Sequence, residues 1–247
     1  NGDITIAFES GSYSGAMNLS SIADAMGNYH LTITSLAGNR DSAIISNSTT
    51  VLTIGASNKN ITVENLTLTN TGTTLYVILL ENGCKNIDIL HNNLLRDTTN
   101  TSTNYVIYNT SSGNISNINI NSNLIRGGYY GIYIYGTGSN DPCKNVNIDS
   151  NEIFGQYYYA CYLYYVQTPS FSYNHIRARY TNANSYWYGL YNYYGQFEYM
   201  VGNTVNAMTA SNITYAYGMY LYYVNQYGSY GAGLAANNSV KVRTSNC

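Results

Sequence analysis

Residues 129–136 read YYGIYIYG, and the same phrase returns three times downstream with its tyrosines at a constant interval. It recurs as YYACYLYY at 158–165, WYGLYNYY at 187–194 and AYGMYLYY at 216–223. Equivalent tyrosines are 29 residues apart at every step. Four copies at one period are typical of a repeat architecture in which each unit stacks on its neighbour.

Apolar residues alternate with tyrosines inside each copy, as Ile132 and Ile134 do with Tyr133 and Tyr135. A period of two is that of a strand with one buried face, whereas a helix needs a period of 3.6. Equal strands at this spacing predict a solenoid of parallel, in-register strands, with tyrosines stacked about 4.8 Å apart on its outer face. Three columns are predicted: Tyr130, Tyr159, Tyr188 and Tyr217; Tyr133, Tyr162, Tyr191 and Tyr220; and Tyr135, Tyr164, Tyr193 and Tyr222. The residues of the last two columns are the ligand-binding candidates.

A second phrase, N-(I/V)-x-(I/V)-x-x-N-x-(I/L), also recurs, as NIDILHNNL at 86–94, NININSNLI at 117–125 and NVNIDSNEI at 145–153, and it loosens to TPSFSYNHI at 168–176 and VGNTV at 201–205. Its second asparagine is predicted to lie at a corner of the coil. Asparagine tolerates a left-handed backbone there, and its amide can bond to the equivalent amide of the next coil. The predicted corner residues are Asn92, Asn123, Asn151, Asn174, Asn203 and Asn238.

These patterns predict an all-β fold, a parallel β-helix of roughly eight coils that forms one continuous domain over residues 30–247. Residues 1–29 are predicted to form a strand and then a short capping helix, because apolar residues recur there at helical spacing. The residues of that pattern are Leu19, Ile22, Ala23 and Met26, with Asn18 as N-cap and Gly27 after the end. The chain starts without a signal-like segment, so we expect it to be a piece of a longer protein.

The chain is poor in charge: charged residues make up 9%, and the net charge is −2. This argues against nucleic acid or an anionic membrane as a partner, and favours neutral partners such as polysaccharide or other copies of the protein. No apolar run is long enough to predict a transmembrane helix. The surface polarity comes from hydroxyls and amides, which is typical of an extracellular or cell-surface protein, and no cofactor is predicted.

The four cysteines form neither a convincing disulfide framework nor a metal site. Cys84 and Cys143 occupy equivalent turn positions two coils apart, about 9 to 10 Å, which is beyond disulfide reach. Cys161 falls in a buried column, where a thiol acts as a small apolar group. Asn192 interrupts an inward column of Leu and Ile, so its amide is expected to bond to a backbone group or a water.

The asparagine phrase alternating with GIY(I/L)Y strands resembles the repeats of right-handed parallel β-helices of the pectate-lyase-like superfamily. More narrowly, it resembles the tyrosine-rich β-helix segments of very large secreted or cell-surface bacterial proteins. The resemblance covers about residues 3–242. It implies a right-handed coil and export from the cell. It leaves the function open, because the superfamily includes lyases, hydrolases, adhesins and passive stalks.

An enzyme on this fold is the alternative function, as a polysaccharide lyase or glycoside hydrolase. The resemblance would then require an aspartate cluster for calcium, or paired aspartates with G-H-G and R-x-K phrases, and the sequence contains none of these. The weak catalytic candidates are Glu152 and His175, predicted to lie side by side in adjacent coils, and Arg177. Such a group could hold an anion. The alternative is a surface salt bridge.

The tyrosine columns are the stronger functional candidate. Aromatic rings pack on sugars, and each phenol adds a hydrogen-bond donor and acceptor. Tyrosine also favours strands, and aromatic neighbours stabilise a sheet, so a purely structural role stays open. The leading expectation is a structural and adhesive module that presents its tyrosines to a glycan or a protein.

Overall fold

The computed structural model describes residues 2–20, 29–109, 114–180, 186–208, 213–225 and 233–243. These residues form three parallel sheets of nine, nine and eight strands, and no helix occurs among them. The predicted parallel β-solenoid is therefore confirmed. The predicted capping helix falls mainly on residues 21–28, which lie outside the described residues.

Twenty-six strands follow one another along the described chain. The first nine are β1 (Ile4–Phe8), β2 (Gly11–Ser14), β3 (Met17–Asn18), β4 (Leu31–Ser35), β5 (Ala43–Asn47), β6 (Leu52–Ile54), β7 (Lys59–Glu64), β8 (Thr67–Asn70) and β9 (Tyr76–Leu80). The next nine are β10 (Lys85–Leu90), β11 (Asn93–Leu95), β12 (Tyr105–Asn109), β13 (Ser116–Asn121), β14 (Leu124–Arg126), β15 (Tyr130–Tyr135), β16 (Lys144–Asp149), β17 (Glu152–Phe154) and β18 (Tyr159–Tyr164). The last eight are β19 (Gln167–Ser172), β20 (His175–Arg177), β21 (Tyr186–Tyr193), β22 (Gln196–Val201), β23 (Thr204–Asn206), β24 (Tyr215–Tyr222), β25 (Leu234–Ala236) and β26 (Ser239–Lys241).

Every third strand joins the same sheet, so each coil adds one strand to each of three sides. The first sheet begins with β1 and the second with β2, while the third sheet contains β3, β6, β9, β12, β15, β18, β21 and β24. The predicted inward column of the third sheet is in register: Ile132, Cys161, Leu190 and Met219. The first three of these side chains are fully buried. The core is thus a stack of apolar layers that runs the length of the coil.

A buried ladder of asparagine amides lies at the corner between the first and second sheets. The Asn123 Oδ1 accepts hydrogen bonds from the Asn92 backbone N–H (2.9 Å) and from the Asn92 Nδ2 (3.2 Å). The same pair of bonds repeats from rung to rung as far as Asn238. Each Nδ2 also donates to a backbone carbonyl inside the coil, at 2.7 to 2.8 Å. The ladder therefore satisfies backbone groups that the turn would otherwise leave unpaired.

The sharp turn itself is made by the residue before each ladder asparagine. Those residues have positive φ: His91 (54°), Ser122 (58°), Ser150 (57°), Tyr173 (57°), Gly202 (69°) and Asn237 (56°). None of the described ladder asparagines has a positive φ, so the expectation that asparagine takes the left-handed conformation at this point is wrong. Its side chain must point inward to reach the next rung, and the preceding residue makes the turn.

The first asparagine of the phrase does adopt the left-handed conformation. Asn60, Asn86, Asn117 and Asn145 have φ values of 57°, 56°, 55° and 53°. The Nδ2 atoms of Asn86, Asn117 and Asn145 each donate to the Oδ1 of the preceding rung at 2.8 Å, while the Asn60 Nδ2 donates to the Tyr29 carbonyl at 3.3 Å. This second amide ladder faces solvent. Asparagine therefore occurs at both turns that flank the first-sheet strands, with a left-handed backbone at the first turn and an inward side chain at the second.

Asn192 is fully buried, and neither of its amide atoms has a hydrogen-bond partner in the described part of the chain. The expected bond to a backbone group is therefore not formed there. The preceding rung has Leu163 in register with Asn192 and Val166 at the position equivalent to Gly195. A Cβ on Gly195 would lie only 2.0 Å from the Asn192 Oδ1. The absence of a side chain at Gly195 therefore leaves the space in which the Asn192 amide packs.

The double variant Asn192→Leu/Gly195→Val restores the apolar pair of the preceding rung. We expect it to raise the free energy of unfolding by about 1 to 3 kcal/mol, because it removes two unpaired buried polar atoms. The single variant Gly195→Val should lower it by about 1 to 3 kcal/mol through overpacking against the amide. Urea unfolding of the three proteins measures both effects. A double variant less stable than the parent would contradict this account.

The described cysteines are buried thiols and form no disulfide with one another. Cys84 and Cys143 lie one residue before register partners in strands two coils apart, and Ile115 lies between them. Burial, as the largest cause, raises the pKa of both thiols to about 12. They therefore act as packing groups in a corner column.

Candidate functional site: the tyrosine face

Four columns of stacked tyrosines cover the outer side of the third sheet and the corner that follows it. We call these columns together the tyrosine face. Column one is Tyr76, Tyr105, Tyr130, Tyr159, Tyr188 and Tyr217, and column two is Tyr108, Tyr133, Tyr162, Tyr191 and Tyr220. Column three is Tyr135, Tyr164, Tyr193 and Tyr222, and column four is Tyr165, Tyr194 and Tyr223.

Strand register sets the columns, because parallel in-register strands place equivalent residues one rung apart. In column two, successive ring centroids from Tyr133 to Tyr220 are 4.7, 5.0 and 5.1 Å apart, with planes within 7° of parallel. In column three the distances from Tyr135 to Tyr222 are 4.4, 5.3 and 4.6 Å. These are parallel aromatic stacks repeated along the solenoid.

Neighbouring columns meet alternately edge-on and in parallel. Tyr188 of column one and Tyr191 of column two are perpendicular, at 90° and 5.4 Å. Tyr191 and Tyr193 of column three are parallel, at 1° and 6.2 Å. Tyr193 and Tyr194 of column four are again perpendicular, at 90° and 4.5 Å. Ring contacts therefore continue across the face as well as along it.

Column four follows from the same interval of 29 residues but was not among the predicted binding residues. Its tyrosines are the last residue of the repeated phrase, and all three have a left-handed backbone, with φ of 49°, 54° and 49°. Glycine and asparagine are the residues that adopt this conformation most readily, and a bulky side chain there costs of order 1 kcal/mol. Strand propensity therefore does not explain column four. Its tyrosines extend the aromatic surface around the corner.

The outward surface of the columns consists of ring edges and hydroxyls. Each ring in a column covers the face of the next, so most of the side chains are half-buried, and Tyr159 is 9% exposed. The expectation of flat ring faces open to sugars therefore does not match the geometry. What faces solvent is rows of phenol groups, each of which can donate and accept a hydrogen bond.

Mutual burial also holds the phenols in the neutral form. Burial, with a smaller contribution from neighbouring phenols, raises the pKa of Tyr105 and of Tyr188 to about 12. The same causes raise the pKa of Tyr133 and Tyr162, in the middle of column two. The tyrosine face is thus uncharged near neutral pH, with its donors and acceptors intact.

The weak catalytic candidates lie on the second sheet. Glu152 and His175 are register partners, as the stacking predicted. The Glu152 carboxylate forms an ion pair with Arg177, whose guanidinium lies 4.7 Å from the ring centroid of Phe154. His175 is exposed, and its ring has no hydrogen bond to a described residue.

This group is a surface ion pair, since both side chains are more than 40% exposed. Such pairs contribute little to stability. Arg177 also lines a shallow cavity with Phe154 and Arg179, and no carboxylate is among its described lining residues. The paired carboxylates of a glycosidase are therefore not assembled at this point of the described chain.

Comparison with known proteins gave no significant match to a family model, a curated protein or a solved structure. The relationship to the pectate-lyase-like superfamily therefore stays an expectation from the repeat phrases. No helix among the described residues is long and apolar enough to cross a membrane. The fold and the face together define the class: a parallel β-solenoid with a tyrosine-rich surface.

Proposed function

We propose that the chain is a structural and adhesive module of a secreted or cell-surface protein, and that its tyrosine face binds a neutral glycan. The observation that carries the proposal is column four. Tyrosines at left-handed corner positions cost backbone energy, and yet they extend the aromatic surface beyond the sheet. A surface kept for strand stability alone would end at the last residue of the strand.

The chemistry of the face suits an uncharged, hydroxyl-rich partner. Ring edges provide apolar contact, and the phenol rows provide hydrogen bonds at the regular spacing of the rungs. The low charge of the chain gives little electrostatic steering, so shape and hydrogen bonding would set the specificity. The rigid stack holds the phenols in place before binding, which lowers the entropic cost.

The test is a glycan array of neutral polysaccharides probed with the parent and with Tyr162→Phe/Tyr191→Phe. Phenylalanine keeps the stack and removes two hydroxyls, so binding should weaken by roughly fivefold to a hundredfold, at about 0.5 to 1.5 kcal/mol per hydrogen bond. The matched control is Tyr173→Phe/Tyr199→Phe, which removes two hydroxyls from exposed tyrosines outside the columns. It should bind like the parent.

Equal losses in the two double variants would contradict binding at the tyrosine face, and so would an array with no binding. The same polysaccharides should be assayed for reducing ends and unsaturated products. Cleavage of any of them would replace the adhesive proposal by the enzymatic alternative.

A further inference from the structure

The tyrosine columns place phenols in a geometry suited to covalent coupling. In columns two and three, successive rings are parallel within 19° from Tyr133 and Tyr135 onward, at centroid distances of 4.4 to 5.3 Å. Rigid backbone register holds these pairs, so the rings are in contact before any reaction. We infer that the columns are sites of oxidative cross-linking, where a one-electron oxidant joins tyrosines of successive rungs as dityrosine.

The coupling step balances as follows. Each of two phenols gives one electron to the oxidant and its hydroxyl proton to solvent, which leaves two phenoxyl radicals. A carbon–carbon bond then forms between the ring carbons ortho to the two oxygens. The hydrogen on each of those carbons is lost as the oxygen is reprotonated, so two phenols are restored. The net change is two tyrosines to one dityrosine, two protons and two electrons.

Ring orientation determines which pairs couple. The unpaired electron of a phenoxyl occupies orbitals perpendicular to the ring plane, so parallel stacked rings direct these orbitals at one another. Tyr162 and Tyr191, at 7° and 5.0 Å, meet this requirement. Tyr188 and Tyr191, at 90° and 5.4 Å, do not, although they are almost equally close. The cross-column pair Tyr191 and Tyr193 is parallel, but its ring centroids are further apart, at 6.2 Å. Coupling should therefore run mainly along the columns, and not between perpendicular rings.

Contact along the array also lets a radical move before it couples. Rings in the array touch neighbours in their own column and in the next one. A phenoxyl formed on an accessible ring can take an electron and a proton from a touching phenol, and the radical then lies one ring further on. Oxidation at the rim of the face can thus reach Tyr162 in its middle. The described cysteines are buried thiols that form no disulfide, so dityrosine links would join described rungs that no described disulfide joins.

The experiment is photo-oxidation of the chain by tris(bipyridine)ruthenium with persulfate, followed by dityrosine fluorescence, gel electrophoresis and tryptic peptide mapping. Lys144 lies between Tyr133 and Tyr162 in the sequence, and Arg177 and Arg179 lie between Tyr162 and Tyr191. Each of these two links therefore joins separate tryptic peptides. We expect both links in monomeric protein, with a yield that does not change on dilution.

The diagnostic variant is Tyr191→Phe, which keeps the stacked ring but cannot form a phenoxyl radical. It should lose the 162–191 link and keep the 133–162 link. The control is Tyr180→Phe, because Tyr180 is 74% exposed and lies outside the columns. It should leave both links in place.

Two results would overturn the inference. Links formed chiefly through the exposed Tyr173, Tyr180 or Tyr199, with dimers on the gel, would show that solvent exposure determines the coupling. Links between perpendicular pairs such as Tyr188 and Tyr191, as abundant as those along columns, would show that stacking does not direct it. Because the experiment uses no glycan, its outcome is independent of the proposed binding function.

Discussion

Asn151→Leu is expected to lower the free energy of unfolding by about 3 to 5 kcal/mol, although it replaces one neutral buried side chain by another of similar size. The Asn123 backbone N–H bonds to the Asn151 Oδ1 at 3.0 Å, and the Asn151 Nδ2 donates to the Ile120 carbonyl at 2.8 Å. Leucine leaves that N–H and that carbonyl buried without a partner. Urea unfolding followed by circular dichroism measures the loss.

Shape alone does not forbid leucine in this column, because Leu66 stands fully buried at its N-terminal end. The matched control is Asn147→Ala in the half-buried amide series of the first sheet, where Asn147 donates to Asn119 at 2.9 Å and its Oδ1 accepts from the Ser170 backbone N–H at 3.2 Å. Both bonds are only partly buried, so water can replace them, and the expected loss is below about 1 kcal/mol. Equal losses in the two variants would show that burial of the ladder is not what makes it stabilising.

Alkaline unfolding is the second large effect expected. The pKa of several face tyrosines is raised above the ordinary value of 10.0, to about 12 for Tyr105 and Tyr188, so the folded chain binds protons that the unfolded chain has lost. The contribution of these tyrosines to the free energy of unfolding is therefore constant below about pH 9 and is lost as the pH rises above 10. The slope is about 1.4 kcal/mol per pH unit for each tyrosine that stays protonated, and less where solvent screens the ring. When phenolate absorbance and circular dichroism are recorded together, one phase of phenolate formation, that of the face tyrosines, should coincide with the loss of the circular dichroism signal.

The variant Tyr133→Phe/Tyr162→Phe tests the cause. Phenylalanine keeps the stacking and does not ionise, so the loss of stability above pH 10 should become shallower, while stability at neutral pH changes little. If the free energy of unfolding falls as steeply with pH in this variant as in the parent, the alkaline transition must come from groups other than Tyr133 and Tyr162. Complete phenolate formation in a chain that keeps its circular dichroism would contradict the burial of the columns.

The architecture could be predicted because it depends on register alone. A constant interval of 29 residues places Tyr133, Tyr162 and Tyr191 in one column whatever the loops between them do. The position of the left-handed residue could not be predicted in the same way. Two polar residues stand together at the corner, as Ser150 and Asn151 do, and either can turn the chain. The residue whose side chain points inward is the one whose amide can donate to the backbone carbonyl inside the coil, and the sequence does not show the position of that carbonyl.

The face was predicted in part. The repeated phrase predicted columns two and three and the Tyr130 to Tyr217 part of column one, although only columns two and three were named as binding candidates. Column four was missed because Tyr194 stands after the last strand residue, although it repeats at the same interval. Sequence also placed Glu152 beside His175, but could not show that its carboxylate would pair with Arg177 instead, since side-chain reach decides that. Which part of each ring faces solvent likewise depends on plane angles that no sequence pattern contains.

The constant interval in the third sheet also bears on how such a chain can change over generations. Between β15 and β24, the third-sheet strands recur every 29 residues and align residue for residue, although the loops to the other two sheets differ in length from coil to coil. Unequal recombination between two such coils would add or remove a whole rung, about 4.8 Å of rod, while every column stayed in phase. The length of the solenoid can thus change between generations by whole rungs, and a longer or shorter solenoid keeps the same residues on its surface.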